Sequence, residues 1–404
     1  MIGKIAFRNT LRQKRRTILT ALTMVGGFVL AAISIGWSDG TYNTIINMFT
    51  RNQLGHIQLH QKGYLDNPSL YRTITGYKKM GEKISAVQGV ESWVPRLFAA
   101  GLASVNERSS AVQIRGIDPE KEQRTTRFKQ KIIQGRTLSQ KPGHEAVLGE
   151  GLAQVLEADL SQEIVIVSQA ADGSIANDLY TITGILSSGD DASDRMSLYL
   201  HLEEAQELFV LDGEVHEIAL VVEELGQVDR ITNEIKKSLD DPDLEVSPWQ
   251  EFAKSFYRAM EVDKEGMWIM IFVIILIVAV GVLNTVLMSV LERIREYGVQ
   301  KAVGTRPRFI FWQVILEIHI IAAGSILAGA LLSFIFNHLI SINGIALPFS
   351  FTYGGVEFKK MYAEVNFRTF IIPAITVILS SLIVCLFPAF KAARVEPAKA
   401  MRMH

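Results

Sequence analysis

The sequence predicts an α-helical membrane protein with four transmembrane helices and a mixed α/β extracytoplasmic domain inserted between helices 1 and 2, carried on helical stalks. Three observations lead there. Four runs are apolar and long enough, at roughly 20 residues, to cross a hydrocarbon core. Lys and Arg gather at alternate ends of those runs. The long stretch between the first two runs reads as strands and helices with polar surfaces.

Composition sets the frame. About half of the 404 residues are hydrophobic (49%), and the mean hydropathy is positive, which a soluble chain of this size rarely reaches because it must cover itself with polar groups. The formal net charge of −1 supplies no field for a polyanion, so nucleic acid is not an expected partner. The single cysteine, Cys385, excludes an internal disulfide and a thiolate metal cluster.

The first apolar run is Thr17–Ile35, the second Trp268–Val290, the third Phe309–Ile340 and the fourth Phe370–Phe387. Residues 1–16 hold Lys4, Arg8, Arg12, Lys14, Arg15 and Arg16 with no acid. The connection between runs two and three holds Arg293, Arg295, Lys301, Arg306 and Arg308, and the tail holds Lys391, Arg394, Lys399 and Arg402. Between runs three and four, Lys359 and Lys360 are offset by Glu357 and Glu364. The bias alternates consistently and places both termini in the cytoplasm. The expected boundaries are a basic cytoplasmic segment 1–16, helix 1 at 17–37, an extracytoplasmic domain 38–266, helix 2 at 267–291, a cytoplasmic coupling segment 292–308, helix 3 at 309–340, an outer loop 341–367, helix 4 at 368–389 and a cytoplasmic tail 390–404. Run one also has the basic start of a signal peptide and a weak small-x-small site at Ser34-Ile35-Gly36, but its apolar length favours a retained span.

The external segment shows β-rich runs at 56–60, 111–117, 163–169, 179–186 and 217–224, with a hairpin turn at Ala171-Asp172-Gly173. Helical patterns cover 202–209 and 227–239, the latter with Val228, Ile231, Ile235 and Leu239 on one face. Amphipathic stalks are expected at about 38–52 and 250–266. Tyr42, Ile45, Ile46 and Phe49 fall at i, i+3, i+4 and i+7; Phe252, Phe256 and Met260 fall at i, i+4 and i+8. These seams would let helices 1 and 2 move the outer domain as levers.

Gly36-Trp37-Ser38-Asp39-Gly40 matches G-x-S-x-G, the nucleophile elbow of serine hydrolases. An elbow needs a preceding sheet and an oxyanion loop. Here a basic leader and a membrane span precede it, so Ser38 is not expected to be a nucleophile; Trp37 fits an interfacial anchor, and the two glycines a helix end or a close contact. No G-x-x-x-x-G-K-[ST] occurs, so the chain is not expected to bind or hydrolyse ATP itself. His144-Glu145 lacks the second histidine of a zinc helix. No catalytic, cofactor-binding or metal-ligating residue is expected.

The connection from Leu283 to Glu317 carries the most information. Glu292, Arg293, Arg295 and Glu296 follow the second run at once, with helical spacing that pairs them. A break is expected at Gly298, then a short helical turn over 299–303, with Gly304 at its C-terminal end and Pro307 opening the third run. Mixed charges and ordered glycines exceed what topology requires and suit a docking surface for a cytoplasmic partner. Asn284 in run two is expected to make an interhelical hydrogen bond, of order 1 kcal/mol. Glu317 and His319 lie near the inner end of run three, where the cost of a charge depends on depth.

The stretch 281–304, GVLNTVLMSVLERIREYGVQKAVG, resembles the signature of FtsX-like permeases, the family that includes the MacB type and the LolC/LolE type. The matching positions are Asn284, Glu292 through Gly298, Ala302-Val303-Gly304 and Glu317, and the ending PAFKAARVEPAKAMR (388–402) is similar to the family's own. The resemblance covers the whole chain, and its layout is closest to the LolC/LolE lipoprotein-releasing permeases.

The resemblance implies the permease subunit of an ABC transporter in a bacterial inner membrane. ATP and Mg would be bound by a separate cytoplasmic ATPase, two copies per complex, docked through Glu292, Arg293, Arg295, Glu296, Gly298, Lys301 and Gly304. A second permease copy or a sister permease would complete the membrane part, with a lipoprotein or periplasmic adaptor as a further partner. The expected work is release or export of lipoprotein or another envelope substrate; the alternative is an FtsX-like regulator that activates a periplasmic cell-wall hydrolase.

Overall fold

The computed structural model describes residues 2–12, 14–353 and 356–400. Arg402 lies outside these residues, as do the side chains of Lys4, Lys359 and Lys399. The chain divides into two compact units: Met1–Tyr42, Met260–Leu347 and Lys360–His404 form one, and Asn43–Ala259 with Pro348–Lys359 form the other.

Among the described residues, four helices are long and apolar enough to span a membrane: Lys14–Phe49, Lys254–Glu292, Pro307–Asn343 and Arg368–Ala393. The first two, at 36 and 39 residues, exceed what about 30 Å of hydrocarbon requires at 1.5 Å per residue. A short helix, Ile2–Arg12, precedes them, and Ile294–Ala302 and Pro397–Ala400 flank the spans. Expected loop 341–367 contains a two-stranded sheet, Ile345–Tyr353 with Val356–Met361.

The core of the first unit follows from fourfold spacing. Val278, Val282, Val286 and Val290 lie every fourth residue down one face of the second long helix and are buried with Met24, Phe28 and Ala32 of the first. Gly27 makes that approach possible: a Cβ there would lie 2.0 Å from Val278 Cγ2. The opposite faces show exposed Ile269, Phe272, Leu276, Ile277 and Val280, the surface that lipid tails accept without a hydrophobic penalty.

The elbow-like string finds its explanation here. The helix Lys14–Phe49 runs unbroken through Ser38, so there is no strand-to-helix turn to present a nucleophile. A Cβ on Gly36 would lie 2.7 Å from Asn337 Oδ1, and one on Gly40 would lie 2.5 Å from the carbonyl oxygen of Tyr362. Both glycines, one helical turn apart, are contact points for other segments of the unit. Buried Asn337 donates to the Ala32 carbonyl at 3.2 Å, and Glu364 N–H donates to the Gly36 carbonyl at 2.8 Å.

The second unit is built on a ten-stranded sheet. Across it run Leu244–Pro248, Ile57–Gln61, Glu217–Val222, Val90–Val105, Arg108–Ile117, Ser197–His201, Glu145–Gly149, Ile175–Leu186 and Ile132–Gly135; Glu163–Gln169 pairs with both Val90–Val105 and Ile175–Leu186. The hairpin at 171–173 is present, with Gly173 at φ +86°. Helices Leu202–Leu208 and Val228–Leu239 occupy the expected positions, and Val228, Ile231 and Ile235 are buried. The longest strand, Val90–Val105, escaped the alternation test because Pro95 and its Ala/Gly residues are poor strand formers. Pro95 is tolerated because the ladder to Arg108–Ile117 begins only at Arg96.

Candidate functional site

The turn between the second and third spans concentrates the polar chemistry of the first unit. The helix Lys254–Glu292 stops at Arg293, whose backbone sits at φ −103°, ψ 11°, and a new helix runs Ile294–Ala302. The expected break at Gly298 is therefore corrected: the break is one helical turn earlier, and Gly298 lies inside the helix. Its role is contact, since a Cβ there would lie 2.7 Å from the Cβ of Ala400 in the C-terminal helix.

Arg293 is the hub. Its Nη1 donates to Glu317 Oε2 at 2.8 Å and its Nε to Glu296 Oε2 at 3.0 Å. The guanidinium carbon lies 5.2 Å from the centre of the fully buried Tyr297 ring. Glu317 is completed by Asn9 Nδ2 at 2.7 Å and Gln313 Nε2 at 3.3 Å. A buried pair survives only when its remaining lone pairs are satisfied, and Asn9 and Gln313 do that. Glu317 is thus a structural partner of Arg293 and of the N-terminal helix.

The end of the short helix is equally specified. Gly304, at φ +98°, donates to Lys301 O and Thr305 donates to Gln300 O, both at 3.0 Å, the two bonds of a Schellman motif. Lys301 Nζ reaches the carbonyls of Ala393 and Val395 at 3.1 and 2.7 Å, capping the fourth span with positive charge where its dipole is negative.

These placements sort the predicted residues. Arg293 and Gly298 are buried, and Lys301 is half-buried and engaged within the unit. Glu292, Arg295, Glu296 and Gly304 are exposed, although Glu292 also pairs with Arg16 at 3.3 Å. Sequence reasoning missed two apolar residues on this face, Val299 and Val303, which are 48% and 84% exposed. With Arg295 they form a stripe at i, i+4 and i+8. It also missed Asn9 and Gln313, whereas helical spacing already sets Arg293 beside Glu296 and Tyr297; a lone Asn in a basic leader gives no signal of a partner 308 positions away.

Asn284 is corrected too. It is exposed, with no hydrogen-bond partner among the described residues, and lines a groove with Arg12, Arg15 and Arg16. His319 is half-buried and its Nδ1 lies 2.8 Å from the Ile315 carbonyl of its own helix.

The stalk residues pair across the two long helices. In the second unit the Phe49 and Phe256 rings stack at 3.9 Å and 12°, and Ile45 and Ile46 are buried. In the first unit, Met260 is buried and Lys264 Nζ lies 5.3 Å from the Tyr42 ring centre. Phe252 departs from the expected continuous helix: it ends a separate short helix, Trp249–Phe252, and Ala253 at φ −107°, ψ 46° breaks the run before Lys254.

Two family models match. The MacB-like periplasmic core domain matches residues 17–238, and the FtsX-like permease C-terminal model matches residues 268–397. The lipoprotein-releasing system transmembrane protein LolC of Neisseria meningitidis is 22% identical over 418 residues, covering 98% of each chain. An uncharacterised ABC transporter permease of Methanocaldococcus jannaschii is 26% identical over 413 residues, covering 98% of this chain and 96% of the relative. Among solved structures, the periplasmic region of MacB from Actinobacillus actinomycetemcomitans aligns at a TM-score of 0.39 with 14% identity, covering 52% of this chain and 95% of that one.

Proposed function

The chain belongs to the FtsX-like permease family with a MacB-like periplasmic core, and on that premise we propose that this ABC transporter permease takes its force from a separate ATPase seated on the helix Ile294–Ala302. The carrying observation is that the helix is locked from behind and open in front. The Arg293–Glu317 pair, the Gly298 contact and the Lys301 cap fix it to the third span, the C-terminal helix and the end of the fourth span. Arg295, Glu296, Val299 and Val303 face outward, an apolar centre with a charged rim, the anatomy of a protein contact.

In this reading the turn and both termini are cytoplasmic, the membrane is a bacterial inner membrane, and the α/β unit is periplasmic. Two ATPase subunits and a second permease complete the complex. The long helices carry motion outward, and the work is release of an acylated protein from the membrane. The whole-length likeness to LolC supports that substrate class.

The test is co-purification. Val303→Asp with Arg295→Glu puts a charge into the apolar centre and reverses a rim charge without touching the lock. The doubly substituted chain should insert normally and lose the ATPase that accompanies the unaltered chain. Equal recovery of ATPase from both overturns the docking face. Mass spectrometry of the complex trapped without ATP hydrolysis should reveal an acylated protein; a non-acylated substrate overturns the substrate class alone.

A further inference from the structure

The external sheet carries a pocket that the transport reading leaves unused. Strand register builds it. Glu217 sits opposite Arg96, Phe98 opposite Arg115, and Arg115 opposite Tyr199, so one face of adjacent strands presents these side chains in a row. Glu122 and Lys131, on the segment that follows the strand Arg108–Ile117, close one side, and Gln53 and Leu54 another. The cavity is about 200 Å³, below the roughly 300 Å³ at which drug-sized sites begin.

Among the described lining residues are three cations and two carboxylates, and Arg96 engages both carboxylates; Asp194 adds a further negative charge that acts on Lys131. Arg96 meets Glu122 through Nη2 at 2.6 Å and Nε at 3.1 Å, and Glu217 through Nη1 at 2.9 Å. Arg115 has different company. Its Nη1 donates to the Tyr199 hydroxyl at 3.1 Å, and its Nη2 to Gln113 Oε1 at 2.9 Å and Ser193 Oγ at 3.3 Å. All three acceptors are neutral, and Arg115 Nε is buried without a hydrogen-bond partner among the described residues. Burial pushes the Lys131 amine down to about 8; Glu122 and Asp194 oppose that, and Arg96 and Arg115 add to it. An arriving anion would stabilise both cations through charge-assisted hydrogen bonds.

We propose that this pocket binds an oxyanion, a carboxylate or phosphate group, held by Arg115 and Lys131 and oriented by the Tyr199 hydroxyl. That hydroxyl accepts from Arg115, so its own hydrogen is available to the ligand. Volume limits the ligand to a small anion or to the acidic end of a larger molecule. Arg96 with its two carboxylates is the rigid floor.

The experiment titrates the full chain, in discs of zwitterionic phosphatidylcholine, by calorimetry with inorganic phosphate and separately with acetate, chloride holding the ionic strength constant. Saturable binding of at least one is expected, and the stronger identifies the anion class. Arg115→Gln and Lys131→Gln should each weaken it at least tenfold, and Arg115→Lys, which keeps the charge, should weaken it less. Arg136→Gln, at an exposed pair with Glu145, should leave it unchanged. Circular dichroism reports whether each variant is folded, and the charge-keeping variant supplies the comparison if Arg115→Gln is not. Absence of saturable binding by both anions, or binding indifferent to Arg115 and Lys131, overturns the proposal. ATPase co-purification is not read here, so its failure and this one are separable.

Discussion

Arg293 Nη1 and Glu317 Oε2 lie 2.8 Å apart, with side chains only 5% and 10% exposed. The pair joins the start of the short helix to the third span, and Asn9 brings the N-terminal helix to the same carboxylate. Removing one partner strands the other charge. Arg293→Gln or Glu317→Leu should each cost about 3–5 kcal/mol. A double-mutant cycle on thermal unfolding of the detergent-solubilised chain should return a coupling above about 0.5 kcal/mol. Additive effects would mean that the pair does not act as a unit.

Gly27 permits two spans to approach, so Gly27→Leu should prevent correct packing. Gly27→Ala should be destabilising, because its Cβ would lie 2.0 Å from Val278 Cγ2. Val278→Ala removes that obstacle, so the double substitution should recover part of the loss in thermal stability. If Val278→Ala fails to rescue, the contact is not the reason for the glycine.

The stalk helices should respond unequally to proline. Ile45 lies well inside the helix Lys14–Phe49, so Ile45→Pro removes a helical hydrogen bond and should cost about 3 kcal/mol or more. Phe256 is in the first turn of Lys254–Glu292, where proline is less disruptive than in a helix interior. Phe256→Pro should chiefly lose the stack on Phe49, on the order of 1 kcal/mol beyond its buried area. Hydrogen exchange over 40–54 and 250–262 reads both; an equal opening in the two variants contradicts this placement.

Ser38→Ala should leave assembly and any transport activity unchanged, because Ser38 sits in an unbroken helix. Gly36→Val should not be silent, since its Cβ would crowd Asn337. Comparing the two by folded yield tells packing from chemistry: loss of function in Ser38→Ala with normal assembly would revive the nucleophile.

Acid should weaken the external unit through His56. Burial first, then the charge of Arg51, lowers its pKa to about 4 from an ordinary 6.5. Val222 N–H donates to Nδ1 at 3.1 Å, which requires that nitrogen to be unprotonated. The unfolded chain therefore binds the proton first as pH falls, so this stability is complete above about pH 6.5 and is lost towards pH 4. The loss between pH 7 and pH 5 should be about 2 kcal/mol. Denaturant unfolding with exchange read at Ile57–Gln61 measures it; His56→Gln should flatten that part of the profile, and an unchanged slope would exclude His56.

The spans, the inserted α/β domain and the family were legible in the amino-acid order because each rests on local pattern: apolar length, two-residue and near-four-residue periodicity, and one contiguous signature from Gly281 to Gly304. Gly304 could be placed because a positive φ after a helix asks for glycine there. Which charges stay exposed was not legible. Arg293 and Arg295 look alike in the string, yet a backbone break at Arg293 buries one against Glu317 and leaves the other outside. Gly298 passed for a helix breaker when its purpose is to admit Ala400, and nothing local marks Lys301 as the cap of the fourth span. The oxyanion pocket, too, exists only because strand register sets Arg96, Arg115 and Tyr199 side by side. A chain specifies its elements by short-range sterics and solvation, whereas the fate of a polar side chain is decided by what distant residues bring within about 3 Å of it.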